Sequence, residues 1–180
     1  MKNDHISKKL PDVLSQIDPE KHEKLILEII KNLYSKIAEF KIGQKTEKTL
    51  SPGLEVTFEK RLTYADVFLF SLISGDWNVI HHSEEIAKRT KFGGRVVHGL
   101  LTTSLASALM EMLPGIVVLL SVEFQYIRPV YVGDTVRGKA VVVDRLPGNR
   151  LRVEVKFINE RNEVVVKGNC MVLVWDSVNL

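Results

Sequence analysis

The hydrophobic positions of this chain follow a helical period near its start and a strand period near its end. Apolar residues recur every three or four positions at Ile26, Ile30, Leu33, Ile37 and Phe40, which predicts an amphipathic helix. Two heptads are too short for an isolated coiled coil. We therefore expect this helix to pack on the body of the protein or on a partner.

The middle of the chain predicts two further helices. Residues 63–74 begin with Thr63 and carry Asp66 three positions later, which is the spacing of a capping box. Residues 98–113 form a strongly apolar run without a polar face wide enough for solvent, and Pro114 and Gly115 end it. We therefore expect residues 98–113 to form one long helix in the centre of the protein.

The last third of the chain is typical of strands. Its extended runs are separated by short turns, which favours antiparallel hairpins. A further alternating run at residues 54–58 predicts a strand before the helices. The predicted fold class is α+β: an antiparallel sheet wrapped around a long central helix, with an extra N-terminal helix. The late extended runs cover residues 117–128, 134–145, 150–159 and 163–175.

The composition indicates one globular body with an extension. The chain has 180 residues, of which 45% are hydrophobic and 26% are charged, as in a folded domain rather than a disordered segment. Residues 1–50 contain ten lysines but no arginine or tryptophan, whereas every arginine and both tryptophans follow residue 60. We therefore predict an N-terminal helical extension at residues 1–50 and a body at residues 51–180.

Charge and cysteine content exclude several classes of protein. The 25 basic and 22 acidic residues are interspersed, so we expect no nucleic-acid partner. No apolar run reaches the ~20 residues of a membrane span, and the N-terminus has no apolar leader, so we expect no membrane partner and a cytoplasmic protein. The single cysteine, Cys170, excludes a disulfide framework. No glycine-rich phosphate loop is present.

The irregular stretch at residues 74–81 is the first candidate for chemistry. It places the Asp76 carboxyl and the His81 imidazole five residues apart, in the kind of loop that often holds catalytic groups. Such a pair can act as acid and base because burial and mutual charge separate the two pKa values. The spacing alone leaves open that Asp76 is a turn or N-cap residue and His81 a half-buried structural residue. No third ligand accompanies His81 and His82 at a defined spacing, so we expect no metal site.

The start of the buried helix, at His98 and Gly99, is the second candidate. The first N–H groups of a helix have no intrahelical partner, and glycine lets a ligand approach the backbone closely. Gly99 could therefore stabilise a carbonyl oxygen that gains negative charge; the alternative is tight packing of the helix on a strand. Ser107 lies on the same helix face, roughly 12 Å further along. Its hydroxyl could bond to an acid or base lying along the helix, or only to its own backbone.

Three motifs in this chain together resemble the R-specific enoyl-CoA hydratases, also called MaoC-like dehydratases. They are SGD-x-N-x-x-H at residues 74–81, VHG at residues 97–99 and RPVYVGD at residues 128–134. The resemblance follows the family's order through most of the chain, from near residue 54 to residue 175. It implies the hot-dog fold, in which an antiparallel sheet wraps a long helix, and a homodimer or a dimer of dimers.

The resemblance also implies roles for individual residues. Asp76 and His81 match the family's catalytic pair, which holds a water for syn addition to a trans-2-enoyl thioester. Asn78 matches an asparagine that shapes the loop, and Gly99 matches the N–H that receives the thioester carbonyl. Ser107 matches a serine that bonds to the catalytic aspartate. Which member of the pair is the acid stays open, because the two groups titrate together.

The predicted function is therefore that of a lyase that interconverts trans-2-enoyl and (R)-3-hydroxyacyl thioesters, carried on CoA or acyl carrier protein, without a cofactor. Two alternatives are a non-catalytic acyl-thioester-binding module with a partner-binding N-terminal helix, and an acyl-CoA thioesterase. Two features depart from the family pattern. Val79 stands where the family usually has proline, which removes a fixed φ angle from the loop, and residues 1–50 have no counterpart in a minimal member.

Overall fold

The computed structural model describes residues 23–24, 27–28, 31–32, 40–42 and 49–175. The chain divides into two compact units, Met1–Ala38 and Glu39–Leu180. In the first unit the described residues are helical and exposed, as expected for one face of the predicted helix. The apolar positions Ile26, Ile30, Leu33 and Ile37 of that prediction lie outside the described residues.

The second unit is built on a six-stranded sheet in which every neighbouring pair of strands is antiparallel. The strand order across the sheet is β1-β2-β4-β5-β6-β3. The short turns after β4 and β5 make these strands neighbours, as the sequence predicts. The strands are β1 (Phe40–Ile42), β2 (Glu55–Arg61), β3 (Ile116–Tyr126), β4 (Thr135–Leu146), β5 (Arg150–Asn159) and β6 (Val164–Trp175).

The first strand corrects the predicted extent of the N-terminal helix. Phe40, which continues the helical stripe in the sequence, lies in β1 and pairs with Lys60 of β2. Hydrogen bonds to a neighbouring strand override a period that local sequence alone supports. The division of the chain at residue 50 stays a prediction, while the compact unit that holds the sheet begins at Glu39.

Five helices lie between β2 and β3 in the chain. The predicted capping box is confirmed at the start of α1: the Thr63 hydroxyl accepts from the Asp66 N–H, and the Asp66 carboxylate accepts from the Thr63 N–H at 2.7 Å. The helices are α1 (Tyr64–Ser74), α2 (Val79–His82), α3 (Glu84–Lys88), α4 (Gly99–Ser104) and α5 (Ala106–Glu111).

The predicted single helix over residues 98–113 is wrong in one respect, because it is divided at Leu105 into α4 and α5. Three consecutive hydroxyl side chains, those of Thr102, Thr103 and Ser104, donate back to carbonyl oxygens three or four residues earlier. Such bonds compete with the helical ladder and bend the helix. The Leu105 N–H then bonds to the Thr102 carbonyl, a tighter turn than an α-helix has.

The core lies between α4, α5 and the sheet. Helix α5 packs on β2, β3 and β4. Burial of the only cysteine, Cys170 on β6, raises the pKa of its thiol to about 11. No helix among the described residues is long and apolar enough to cross a membrane. The predicted α+β class, with the sheet wrapped around buried helices, is confirmed. Core side chains include Leu101, Leu105, Leu109 and Leu113 from the helical layer and Val153, Val155 and Phe157 from β5.

Candidate active site

The loop between α1 and α2 is shaped by local backbone geometry. Gly75 ends α1 with a φ of 76°, a left-handed conformation that glycine adopts without strain. The Asn78 N–H then donates to the Asp76 carboxylate at 3.1 Å, and the Asn78 side chain caps α2 by accepting from the Ile80 N–H at 3.2 Å. The loop that the sequence predicts as irregular thus ends in a short helix, which carries His81.

The fold brings Asp76 and His81 together. A carboxylate oxygen of Asp76 and a ring nitrogen of His81 lie within 4.8 Å of each other. The Asp76 side chain is about half-exposed, at 51%, whereas His81 is buried. A water molecule could therefore reach the carboxylate and lie beside an imidazole that is itself shielded from bulk solvent.

The hydrogen bond of His81 determines which of its nitrogens can accept a proton. Nδ1 lies 2.7 Å from the carbonyl oxygen of Val96. Because a carbonyl only accepts, Nδ1 must carry the hydrogen, and the neutral ring then has a bare Nε2. This tautomer suits a group that takes a proton from water and returns one.

His98 is the third member of this cluster, and the sequence indicates it only as the residue before Gly99, with no role for its side chain. Its ring stacks on that of His81 with centroids 3.7 Å apart, and its Nε2 donates to the Asp76 backbone carbonyl at 3.1 Å. Burial lowers the pKa of His98 below its ordinary value. The available signal was a histidine that opens an apolar helix, which local pattern alone does not separate from a packing residue.

The cluster of Asp76, His81 and His98 has three potential metal ligands but a poor geometry for an ion. Each ring that ligates an ion must have the ion near its own plane, at about 2.0–2.1 Å from the nitrogen. The two imidazoles are stacked with an angle of only 32° between their planes, so the planes do not converge at that distance. The arrangement favours proton transfer over metal binding.

A cavity of about 590 Å³ opens beside His81. Its wall contains Gly99 at the start of α4, Tyr126 at the end of β3, and the basic residues Lys91 and Arg128. Asp76 lies beside this cavity rather than in its wall. The cavity is mainly apolar with two cations, which suits a ligand that has both an acyl portion and anionic groups.

The structure gives Gly99 a packing role and leaves its N–H available. A side chain at this position would come within 2.8 Å of the Tyr126 ring, so the close approach of α4 to β3 requires glycine. Among the described residues, none accepts a hydrogen bond from the Gly99 N–H. The two interpretations of Gly99, tight packing and carbonyl binding, are therefore compatible.

Ser107 is not brought to the aspartate. It lies exposed on α5, and no hydrogen bond among the described residues joins it to Asp76. The division of the helix at Leu105 puts Gly99 on α4 and Ser107 on α5, so the two residues do not lie on one face of a single straight helix. Its support of Asp76 stays a prediction.

Comparisons with known proteins point to one family. A family model described as "MaoC like domain" matches residues 43–167. The 3-hydroxybutyryl-CoA dehydratase of Methylorubrum extorquens is 38% identical over 127 residues, which cover 69% of this chain and 81% of the relative. Both the family model and this relative extend over more than half of the chain.

Solved structures extend the comparison to the fold. An Archaeoglobus fulgidus protein superimposes with a TM-score of 0.77 at 44% identity, covering 87% of this chain and 99% of that one. The R-hydratase of Pseudomonas aeruginosa superimposes with a TM-score of 0.67 at 29% identity, covering 73% and 88%. These similarities confirm the hot-dog fold and an enzyme of the hydratase and dehydratase type, a lyase. The chain belongs to the MaoC-like dehydratase family.

Proposed function

We propose that this protein is an R-specific enoyl-CoA hydratase, or in the reverse direction a 3-hydroxyacyl dehydratase, and that Asp76 and His81 carry the reaction. The observation that carries the proposal is the approach of these two side chains to within 4.8 Å beside a cavity of about 590 Å³. The dehydratase and hydratase names of the relatives support the same reaction.

The reaction adds one water to the substrate, and Asp76 and His81 end it in the protonation states in which they began. A water held between Asp76 and the bare Nε2 of His81 loses a proton to one of them while its oxygen bonds to the β-carbon of the enoyl thioester. The π electrons move toward the carbonyl, whose oxygen accepts a hydrogen bond from the Gly99 N–H. The proton that the pair took from the water is then returned to the α-carbon, so Asp76 and His81 act as a coupled acid–base pair and recover their starting protonation states.

The proposed substrate is an acyl thioester of CoA or of acyl carrier protein. Lys91 and Arg128 lie in the cavity wall beside apolar side chains. Both carriers present phosphate groups near the thioester arm, and cationic side chains favour phosphate binding. The apolar lining would hold the acyl portion.

A second copy of the chain is the proposed partner. Strand β3 lies at one edge of the sheet, and its apolar residues Val118, Leu120 and Val122 are exposed. A long apolar edge strand favours pairing with another strand, and an antiparallel pair of identical edges satisfies both. Sedimentation should give a dimer or larger for the full chain, and Val122→Lys should shift it toward monomer. A monomeric wild-type protein would contradict this assembly.

The decisive experiment follows the loss of the enoyl-thioester absorbance when the full chain is mixed with crotonyl-CoA. We expect steady loss with the wild type and a decrease in turnover of about 10²–10⁴-fold for Asp76→Asn and for His81→Ala, since each removes an acid–base group. Asp144→Asn is the matched control, because Asp144 pairs with Arg152 on the exposed sheet and should leave turnover unchanged.

Other results would contradict the proposal in distinct ways. Full turnover by both Asp76→Asn and His81→Ala would exclude the assigned pair. Tight binding of crotonyl-CoA without absorbance loss would indicate a binding module. Release of free thiol, measured with a thiol reagent, would indicate a thioesterase.

A further inference from the structure

We propose that His98 is a positioning residue that holds both members of the catalytic pair, Asp76 through a hydrogen bond and His81 through ring stacking. This inference rests on the proposed function. His98 is buried at the start of α4, between the loop that carries Asp76 and the helix that carries His81.

The contact with Asp76 fixes the backbone and leaves the carboxylate free. Nε2 of His98 lies 3.1 Å from the Asp76 carbonyl oxygen, which can only accept, so Nε2 carries the hydrogen. The same nitrogen lies 4.0 Å from a carboxylate oxygen, beyond hydrogen-bond distance. The imidazole therefore anchors the peptide unit of Asp76 without occupying the oxygen that the reaction needs.

The contact with His81 restrains the reactive ring from its face. The two centroids are 3.7 Å apart, and the edge of the His81 ring is held separately by the Val96 carbonyl. One bond along the edge and one stacked ring together restrict both the rotation and the tilt of the imidazole. Errors of about 1 Å in such placement can cost about 10²-fold in rate.

The surroundings of His98 keep its own ring neutral. Among the described residues, Nδ1 has no hydrogen-bond partner and is buried, so a proton placed there would have no acceptor. The titratable groups that face it are Asp76, His81 and His82. Burial lowers the pKa of His98, and the neighbouring histidines act in the same direction, against the Asp76 hydrogen bond. His98 therefore does not compete with His81 for the catalytic proton.

Ser71 completes the support from α1. Its hydroxyl oxygen lies 3.3 Å from His98 Nε2 and 2.9 Å from His82 Nε2. His82 thus shares the Ser71 anchor with His98, and His98 alone also contacts Asp76 and stacks on His81. This difference provides a control for the loss of the shared anchor.

The test separates the two contacts by substitution. His98→Phe keeps a flat ring against His81 but removes the donor to Asp76, His98→Gln keeps a donor but removes the ring, and His98→Leu removes both. We expect kcat for crotonyl-CoA hydration to fall about 10-fold for Phe and Gln and about 10²-fold for Leu, with KM little changed. His82→Gln should retain kcat within about threefold. A folded His98→Leu protein with wild-type kcat, or equal losses for His82→Gln and His98→Leu, would overturn the proposal.

A second measurement works without turnover. In ¹⁵N-histidine NMR spectra of the full wild-type chain, His98 should show one protonated and one bare ring nitrogen at about pH 7 and should gain its second proton at a lower pH than an ordinary histidine, and the His81 signals should change in His98→Leu or His98→Gln. A His98 that is doubly protonated at about pH 7, or unchanged His81 signals, would overturn the positioning role. If the wild type does not turn over crotonyl-CoA, the proposed function fails, while the NMR result still decides the contacts.

Discussion

An aspartate lies near each end of helix α1, and the two have opposite environments. Asp66, in the first turn, is buried: one carboxylate oxygen lies 2.8 Å from Lys60 Nζ, and the other accepts from the Thr63 N–H and hydroxyl, each at 2.7 Å. Asp76, after the last turn, is half-exposed and accepts one hydrogen bond from the Asn78 N–H.

The difference separates a fully paired carboxylate from the carboxylate that we propose to be reactive. The oxygens of Asp66 are occupied by a cation and two donors, so they have little capacity for a substrate. One oxygen of Asp76 lies 4.0 Å from the nearest imidazole nitrogen and can accept a proton or a water. Burial with full hydrogen bonding favours a unique fold, whereas partial exposure beside two imidazoles favours proton transfer.

The largest expected effects, one on stability and one on turnover, come from replacing each of the two aspartates separately with asparagine. Asp66→Asn removes the charge that compensates Lys60 in the interior, and breaking such a pair costs about 3–5 kcal/mol. We expect the free energy of unfolding, measured in urea, to fall by about that amount, while kcat per folded molecule is retained.

Asp76→Asn is the matched variant in this comparison. It should keep the wild-type free energy of unfolding and lose turnover, the reverse of Asp66→Asn. If Asp66→Asn abolished turnover in the folded protein, or if Asp76→Asn destabilised the fold as strongly, the division between the two ends of α1 would be wrong.

A smaller effect is expected from pH, through His98. Because burial lowers the pKa of His98 in the native protein, the unfolded chain, with an ordinary pKa of about 6.5, binds a proton that the native state does not. The contribution of His98 to stability is full above about pH 6.5 and is lost as the pH falls through the lower native pKa. Urea unfolding at several pH values should show the wild type losing stability over this window.

His98→Gln provides the reference for that measurement, because glutamine does not titrate. The stability difference between wild type and His98→Gln should change as the pH falls, to the disadvantage of the wild type. A difference that stays constant from about pH 7.5 to about pH 5 would contradict a depressed pKa for His98.

The smallest effect is expected at Val79, the first residue of α2. Proline is favoured at this position of a helix, and Asn78 before it already has the extended angles, φ −56° and ψ 128°, that a residue preceding proline prefers. Val79→Pro should raise the free energy of unfolding by about 0.4–1 kcal/mol and leave kcat nearly unchanged. Thermal and urea unfolding would measure this, and a loss of stability would show that the loop needs more freedom than proline allows.

Much of this fold could be predicted from local sequence. The alternation in residues 150–159 and the turns on either side place β5 where the structure has it, and the Thr63–Asp66 spacing predicts the start of α1. The loop motif that contains Asp76 and His81 identifies the residues that the fold brings together. These features depend on neighbours within a few residues, which a linear pattern contains.

Other features are not written in the spacing of apolar residues along the chain. The strand at Phe40 needs β2 as its partner, and the division of the central helix at Leu105 follows from hydroxyls that bond back to the backbone. The role of His98 depends on Asp76, 22 residues earlier, and on the ring of His81. None of these has a periodic signal.

The sequence by itself determined the fold class, the approximate positions of β2 to β6 and of α1, the motif that contains Asp76 and His81 and the resemblance to a hydratase family, because each is written in short-range spacing. The tertiary structure decided which aspartate is paired with a buried cation and which stays partly exposed, and that His98 contacts both Asp76 and His81. Burial and hydrogen-bond partners set these differences, and both arise only when β2, α1 and α4 pack together.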